Sequence, residues 1–190
     1  MGGLRLELLR PLDPEALLDE SRFAVDEFMP YWAELWPSGL ALAQALPAHL
    51  DGLEVVELGC GLGIPSLVAA ARGARVTAVD WAAEAIDLLR ENAARNGIAL
   101  RPLHAHWSKI QGTFDVVIAA DLLYEARNSE ALLERLPSLA PKVLIADPGR
   151  PAAHGFFAEA RGAWEISECG ERVYELRRAT RADPRAPSGG

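Results

Sequence analysis

The residues best suited to chemistry lie in ELGCGLGIPS, Glu57 to Ser66, where a carboxylate precedes Gly59, Gly61 and Gly63 at alternate positions. A glycine loop between a strand and a helix lets a cofactor approach bare backbone. The dinucleotide fingerprint Gly-x-Gly-x-x-Gly needs its third glycine where Ile64 stands, so the match fails by one residue. Glu57 would also crowd a pyrophosphate with like charge. An acid beside open backbone suits a cationic ligand without phosphate, and S-adenosylmethionine, with its sulfonium and ammonium, is such a ligand. The alternative is that acid and glycines only shape a tight strand-to-helix turn.

Asp80, 23 positions after Glu57 in VTAVDW, stands where an acid can accept both ribose hydroxyls. Trp81 offers an aromatic wall for an adenine ring. Taken alone, Asp80 also reads as a cap for the helix AAEAIDLLR. In LHAHWSKI, His106 and Trp107 are candidates to meet the adenine from the other side, although a single histidine at a strand end is as readily a surface residue. Four scattered histidines without Cys-His spacing argue against a metal site. There is no Gly-x-Ser-x-Gly elbow and no Walker lysine.

The elements that must hold these residues alternate. EVVELGC, RVTAVDW, IALRPLHAHW, FDVVIAADLLY and KVLIAD read as strands, and PSLVAAARG, Ala83 to Gly97 and EALLERLPSL read as helices, the last interrupted by Pro137. This is an α/β fold with a parallel sheet and helices on both faces. Ile86, Leu89 and Ala93 keep helical spacing, and Asn96-Gly97 supplies a left-handed stop. DPGRP forces a turn, HGFFAEARG forms a short helix, and WEISECGERVYELRRA makes two strands folded about Cys169-Gly170 that close the sheet with an antiparallel edge. Before Glu54 come a strand LRLELL, a helix opening at Asp13-Pro14-Glu15, the aromatic run FMPYWAELWPSG and the helix GLALAQAL. The expected organisation is one domain over residues 1–180, with a cover segment at 1–50, a cofactor-binding core at 51–180, and a mobile tail at 181–190.

At 190 residues the chain can bury a sizeable single core, and 50% hydrophobic with 24% charged residues is ordinary for a globular protein. A net charge of -8 disfavours nucleic acid as a partner. Two cysteines, Cys60 and Cys169, are too few for a disulfide framework, which points to the cytoplasm. No apolar run is long enough to span a membrane, MGGLRLELLRP lacks the makings of a signal peptide, and Leu6 stands where a myristoylation signal needs Ser or Thr.

ELGCGLG, VTAVDW and ADLLYE together resemble the class I, seven-stranded S-adenosylmethionine-dependent methyltransferases, over about Pro30 to Thr180. PYWAELWPSGLALA resembles the aromatic approach segment of the small protein-lysine methyltransferases, and Asp121-Leu122-Leu123-Tyr124 matches their Asp-x-x-Tyr motif. IADPGRP resembles a stretch of the electron transfer flavoprotein beta-subunit lysine methyltransferase branch. The resemblance implies a Rossmann-like seven-stranded, mostly parallel sheet with an antiparallel last strand. It also implies a protein substrate with a target lysine, and S-adenosylhomocysteine as product. Carried over, it sets Glu57, Gly59, Gly61 and Gly63 around the methionine part of the cofactor, Asp80 at the ribose and Trp36 against the cofactor. Asp121 and Tyr124 then line the slot for the amine. Many relatives carry an acid where His106 stands here.

Methyl transfer from a sulfonium is an in-line displacement that needs alignment and exclusion of water, with no covalent intermediate. A lysine of pKa about 10.4 is only about one part in 10³ neutral at pH 7, so the pocket must favour the neutral amine. Desolvation by Tyr124 and repulsion by the sulfonium act in that direction, and Asp121 pulls against them. Asp121 would orient the amine, with its proton leaving to water. Without the family resemblance, Asp121 and Tyr124 have a lesser alternative as a strand-end cap and a rim aromatic; Asp147 and Arg150 are either a substrate rim or simply a proline-glycine turn. Rival readings are a small-molecule N-methyltransferase, a nucleic-acid base methyltransferase, whose Asn/Asp-Pro-Pro-Tyr type of motif is absent, a dinucleotide oxidoreductase, and a silent binding module on the same fold.

Overall fold

A computed structural model of the chain describes residues 4–13 and 31–179. Its centre is a seven-stranded sheet: β1 (Glu54–Leu58), β2 (Arg75–Asp80), β3 (Arg101–His104), β4 (Val116–Ala120), β5 (Lys142–Ala146), β6 (Trp164–Gly170) and β7 (Val173–Arg178), in the spatial order β3-β2-β1-β4-β5-β7-β6. The first five strands pair in parallel, and β7 runs antiparallel to both its neighbours. Strand order reverses direction between β1 and β4, which makes the carboxyl ends of those strands the natural ligand edge.

The helices are α1 (Pro37–Ala45), α2 (Ile64–Ala71), α3 (Ala83–Arg95), α4 (Ala126–Leu139) and α5 (Pro151–Ala160). Side chains alternate across the central strands. Val56, Leu58, Val117, Ala119, Val143 and Ile145 join Leu132, Leu136 and Phe156 of α4 and α5 on one side. Val55, Val116, Ile118 and Leu144 join Leu42 and Val68 of α1 and α2 on the other. Both faces are therefore dry, which is why VVIAA and KVLIA are apolar throughout instead of alternating. Helix α3 buries Ile86, Leu89 and Ala93 as its spacing predicts. It ends in a pair of closing bonds, Gly97 N to Ala94 O and Ile98 N to Ala93 O, with Gly97 at φ 62°.

Several expectations are corrected. The hairpin closes at Glu171-Arg172, not at Cys169-Gly170, since Gly170 and Val173 are still register partners and Cys169 is the extra residue of a bulge. The hairpin does close the sheet antiparallel as expected, with β7, the last strand, inserted antiparallel between β5 and β6. Pro137 does not interrupt α4, which runs through it to Leu139. It lies in the last turn, where only one backbone bond is forfeited. LRLELL forms no strand. Asn96 accepts from Glu7 N (2.8 Å) and donates to Glu7 O (2.7 Å), and Asn92 does the same for Leu9 (2.7 and 3.0 Å). Two amides one helical turn apart thus take the place of a strand partner, while Leu6 and Leu8 pack on the core. The helix expected to open at Asp13-Pro14-Glu15, the start of the aromatic run at Phe28 to Pro30, and the tail at 181–190 lie outside the described residues.

Candidate active site

The loop leaving β1 turns back sharply, with Gly59, Gly61 and Gly63 all at positive φ (66°, 49° and 73°). The protein's own packing also demands the missing side chains. A Cβ on Gly59 would lie 2.6 Å from Leu122 Cδ2, one on Gly61 would lie 3.1 Å from the Trp32 carbonyl oxygen, and one on Gly63 would collide with Leu89. The loop is held by Cys60 N donating to Val79 O (2.9 Å) and Gly63 N to Cys60 O (2.7 Å). Glu57 is 1% exposed, and its Oε2 accepts from the backbone N (2.9 Å) and hydroxyl of Ser66 in the first turn of α2. Burial pushes its carboxyl up to about 8, against the bonds from Ser66. Cys60 is buried beside it and its thiol is pushed up, chiefly by burial and then by Asp80 and Glu57, which fits a small packing residue.

Leu58 is the register partner of Val79, so Gly59 and Asp80 leave the sheet side by side. Asp80 Oδ2 accepts from Gly61 N (2.8 Å) and Oδ1 from Ala82 N (2.9 Å). Burial raises its pKa, against those backbone donors. It does not cap α3, whose N-cap residue is Ala82 without a side-chain bond. Trp81 is 48% exposed next to it. At the end of β3, His106 caps a short 3-10 turn (Trp107–Lys109), its Nδ1 meeting Ser108 Oγ at 2.7 Å, and its ring stacks on Trp107 with 5.3 Å between centroids. Trp107 belongs to the core and underlies His106. Partial burial, then Lys109 and Arg127, lower the pKa of His106 and favour the neutral ring.

Across the switch point, Ala120 and Ala146 are register partners, which sends Asp121 and Asp147 out of the sheet together. Asp121 has φ 58°, a left-handed conformation unusual for a residue with a side chain. Its Oδ1 accepts from Arg150 Nη2 at 2.7 Å. Asp147 Oδ1 accepts from Gly149 N (2.7 Å) and Arg150 N (2.8 Å), so DPGRP is a turn that also aims Arg150. Asp121 Oδ2, Asp147 Oδ2 and Arg150 Nε are buried and have no hydrogen-bond partner among the described residues. The Arg150 guanidinium lies 5.6 Å from the Trp36 ring centre. Trp36 Nε1 donates to Tyr31 O (2.8 Å), and the Tyr31 ring lies 6.1 Å from both Trp36 and Tyr124. Tyr31 and Tyr124 are half exposed, at 50% and 45%. Asn128 Nδ2 ties the loop by donating to Leu122 O (3.1 Å).

The structure therefore gathers Trp36, Asp121 and Tyr124 with Arg150, Asp147 and Tyr31 at one side of the edge, and Glu57, the glycines, Asp80 and Trp81 at the other. His106 and Trp107 follow β3. Reasoning from sequence did not find Ser66, Tyr31 or the Asp121–Arg150 pair. Ser66, in the first helical turn after the glycines, had a positional signal; the ion pair had none. Among the described residues, no group of three or more His, Cys, Asp or Glu is disposed to hold a metal ion. Two cavities lie away from this edge, one of about 100 Å³ beside Leu46, Leu50 and Lys142, the other of about 300 Å³ beside Arg101, Lys109 and Phe114.

A family profile described as a methyltransferase domain matches residues 55–141. The chain is 34% identical over 138 residues to the electron transfer flavoprotein beta subunit lysine methyltransferase of Mus musculus, across 66% of this chain and 53% of that protein. It is 31% identical over 136 residues to the protein-lysine methyltransferase METTL21E of Mus musculus, across 60% and 54%. The chain thus spans about half the length of these curated relatives. Among solved structures, magnesium protoporphyrin IX methyltransferase from Synechocystis PCC 6803 with bound SAM superposes with a TM-score of 0.62 at 17% identity, covering 89% of this chain and 99% of the other, a likeness of fold.

Proposed function

We propose, from the methyltransferase-domain match over residues 55–141 and the seven-stranded Rossmann-like sheet, that this chain transfers the methyl group of S-adenosylmethionine to a lysine side-chain amine of a protein. The observation that carries the acceptor half is Asp121, whose buried Oδ2 has no partner among the described residues and whose Oδ1 binds Arg150, which lies against Trp36 of the Tyr31, Trp36 and Tyr124 aromatic group. Kinship with two curated lysine methyltransferases supports the same class of acceptor.

The donor half fits such a cofactor by its chemistry. No Lys or Arg stands between Glu57 and Ser66 to receive a phosphate, and acids flank the loop. Asp80 already accepts backbone N–H bonds from Gly61 and Ala82 on its two oxygens, with the Trp81 N–H also against it, and the carboxylate keeps acceptor capacity for a ribose hydroxyl. Trp81 and the neutral His106 ring would bound the adenine, with Trp107 holding His106 from beneath. Glu57 works through Ser66 and the glycine turn, and a cation above the loop would draw its carboxyl toward the ionised form. The cofactor, when bound, supplies an electrophilic methyl carbon on a sulfonium.

The chain's own residues then have three tasks. Tyr31, Trp36 and Tyr124 strip water from the incoming amine, which favours its neutral form. Asp121 Oδ2 accepts one N–H of the amine and so aims the nitrogen lone pair. The proton of the ammonium leaves to solvent through the half-exposed rim of Tyr31 and Tyr124. No helix among the described residues is long and apolar enough to cross a membrane. The acceptor class proposed is a cytoplasmic protein with an accessible lysine, and the net charge of -8 weighs against a nucleic-acid acceptor.

Purified chain, methyl-labelled S-adenosylmethionine and a cell extract test this reading, followed by mass spectrometry of the labelled fraction. Label on lysine of a protein band is the expected result. Label only in the low-mass fraction would move the assignment to a small-molecule N-methyltransferase. Calorimetric binding of NAD in preference to S-adenosylmethionine would end it altogether.

A further inference from the structure

We propose that Arg150 is the resident counter-ion of Asp121 and sets the acceptor slot to take lysine as the neutral amine. The inference rests on the methyltransferase reading above and addresses a conflict within it. A bare carboxylate beside the acceptor would stabilise ammonium over amine, holding the nucleophile in its unreactive form. Two such carboxylates stand here, because the register of β4 and β5 delivers Asp121 and Asp147 together. Arg150 engages each differently: its guanidinium Nη2 pairs with Asp121 Oδ1 at 2.7 Å and balances that charge, while its backbone N donates to Asp147 Oδ1 at 2.8 Å.

The pair leaves Asp121 Oδ2 without a partner among the described residues, so the carboxylate stays a hydrogen-bond acceptor while its charge is balanced. The guanidinium is held for this task, with Trp36 5.6 Å away and the turn pinned by its own Asp147. The other groups around it do not replace it. Tyr124 and Tyr31 bring phenol rings, and the Arg172 guanidinium is engaged with Pro148 O on the far side of the turn. Arg150 is thus a positioning residue that acts through Asp121, and guanidinium suits this role because it keeps its charge at any working pH.

The test uses the full chain saturated with S-adenosylhomocysteine and titrated with n-butylamine, a lysine side-chain analogue, at pH 7, 8 and 9. For the wild type, affinity should rise about tenfold per pH unit, following the neutral fraction of the amine. Arg150→Gln should bind the amine at least about tenfold more tightly at pH 7, with affinity flat across the series, because the freed Asp121 carboxylate now selects ammonium. Arg150→Lys should keep the wild-type slope. A wild-type affinity that does not rise with pH, no amine binding at all, or an unchanged slope in Arg150→Gln each overturns the inference. If S-adenosylhomocysteine itself fails to bind, the methyltransferase reading falls and this inference with it. If it binds while the amine series fails, only the role of Arg150 is lost. If Arg150→Gln does not fold, a wild-type affinity that fails to rise with pH still overturns the inference.

Discussion

The acids at the ends of β1 and β2 and those at the ends of β4 and β5 occupy matching places on one sheet edge, yet they are treated in opposite ways. Glu57 takes two bonds from Ser66, and Asp80 takes a backbone N–H on each oxygen. Asp121 and Asp147 each keep a buried oxygen without a partner among the described residues. A buried polar atom left unpaired costs about 1–3 kcal/mol, so the second pair is an expense that folding alone does not explain. The β1–β2 side, proposed above for the donor, is therefore a scaffold completed by its own loop. The β4–β5 side, proposed for the acceptor, keeps open acceptor atoms among the described residues.

Three experiments would break or sharpen this contrast, taken in falling order of their effect on stability. Unfolded, Glu57 ionises near the ordinary glutamate value of 4.5, and burial pushes it up to about 8 in the fold, so between these values the native state holds a proton that the unfolded state has lost. Stability should then fall as pH rises through that window, at up to about 1.4 kcal/mol per unit, and level off above it. Urea titrations of the wild type and Glu57→Gln check this: the variant should lose most of the slope. Equal slopes would mean that Glu57 is not the buried acid of the scaffold.

Next in size, Gly63→Ala puts a side chain at φ 73° against Leu89 and should cost about 3 kcal/mol in denaturant unfolding. A change near zero would show that the loop is looser than a scaffold should be. Smallest is Asp121→Asn, since asparagine tolerates φ 58° and keeps an oxygen for Arg150. Its stability should move by less than about 1 kcal/mol, while methyl transfer to a labelled acceptor drops about 10²-fold. Full turnover with normal stability would remove Asp121 from the chemistry.

What the sequence disclosed follows the same division. Gly59, Gly61, Gly63 and Asp80 are readable because a strand-turn-helix unit is local, and spacing along the chain is spacing in the structure. The central strands were readable because two dry faces leave no polar alternation. Residues joined by sheet register were not. Asp121 and Arg150 are 29 positions apart and meet only because Ala120 pairs with Ala146. Leu4 to Leu9 misled for a related reason: it has the composition of a strand, but its backbone partners are the side chains of Asn92 and Asn96, which no local pattern announces.

Gly59 and Leu122 meet where the two halves join, so tightly that a single methyl on the glycine would sit 2.6 Å from Leu122 Cδ2. Leu122 directly follows Asp121, and the two loops therefore behave as meshed teeth. Whatever settles the turn after β1 also fixes how far Asp121 stands from it, so that the two halves of the edge share one ruler. An enlarged side chain on either tooth would put both out of alignment at once.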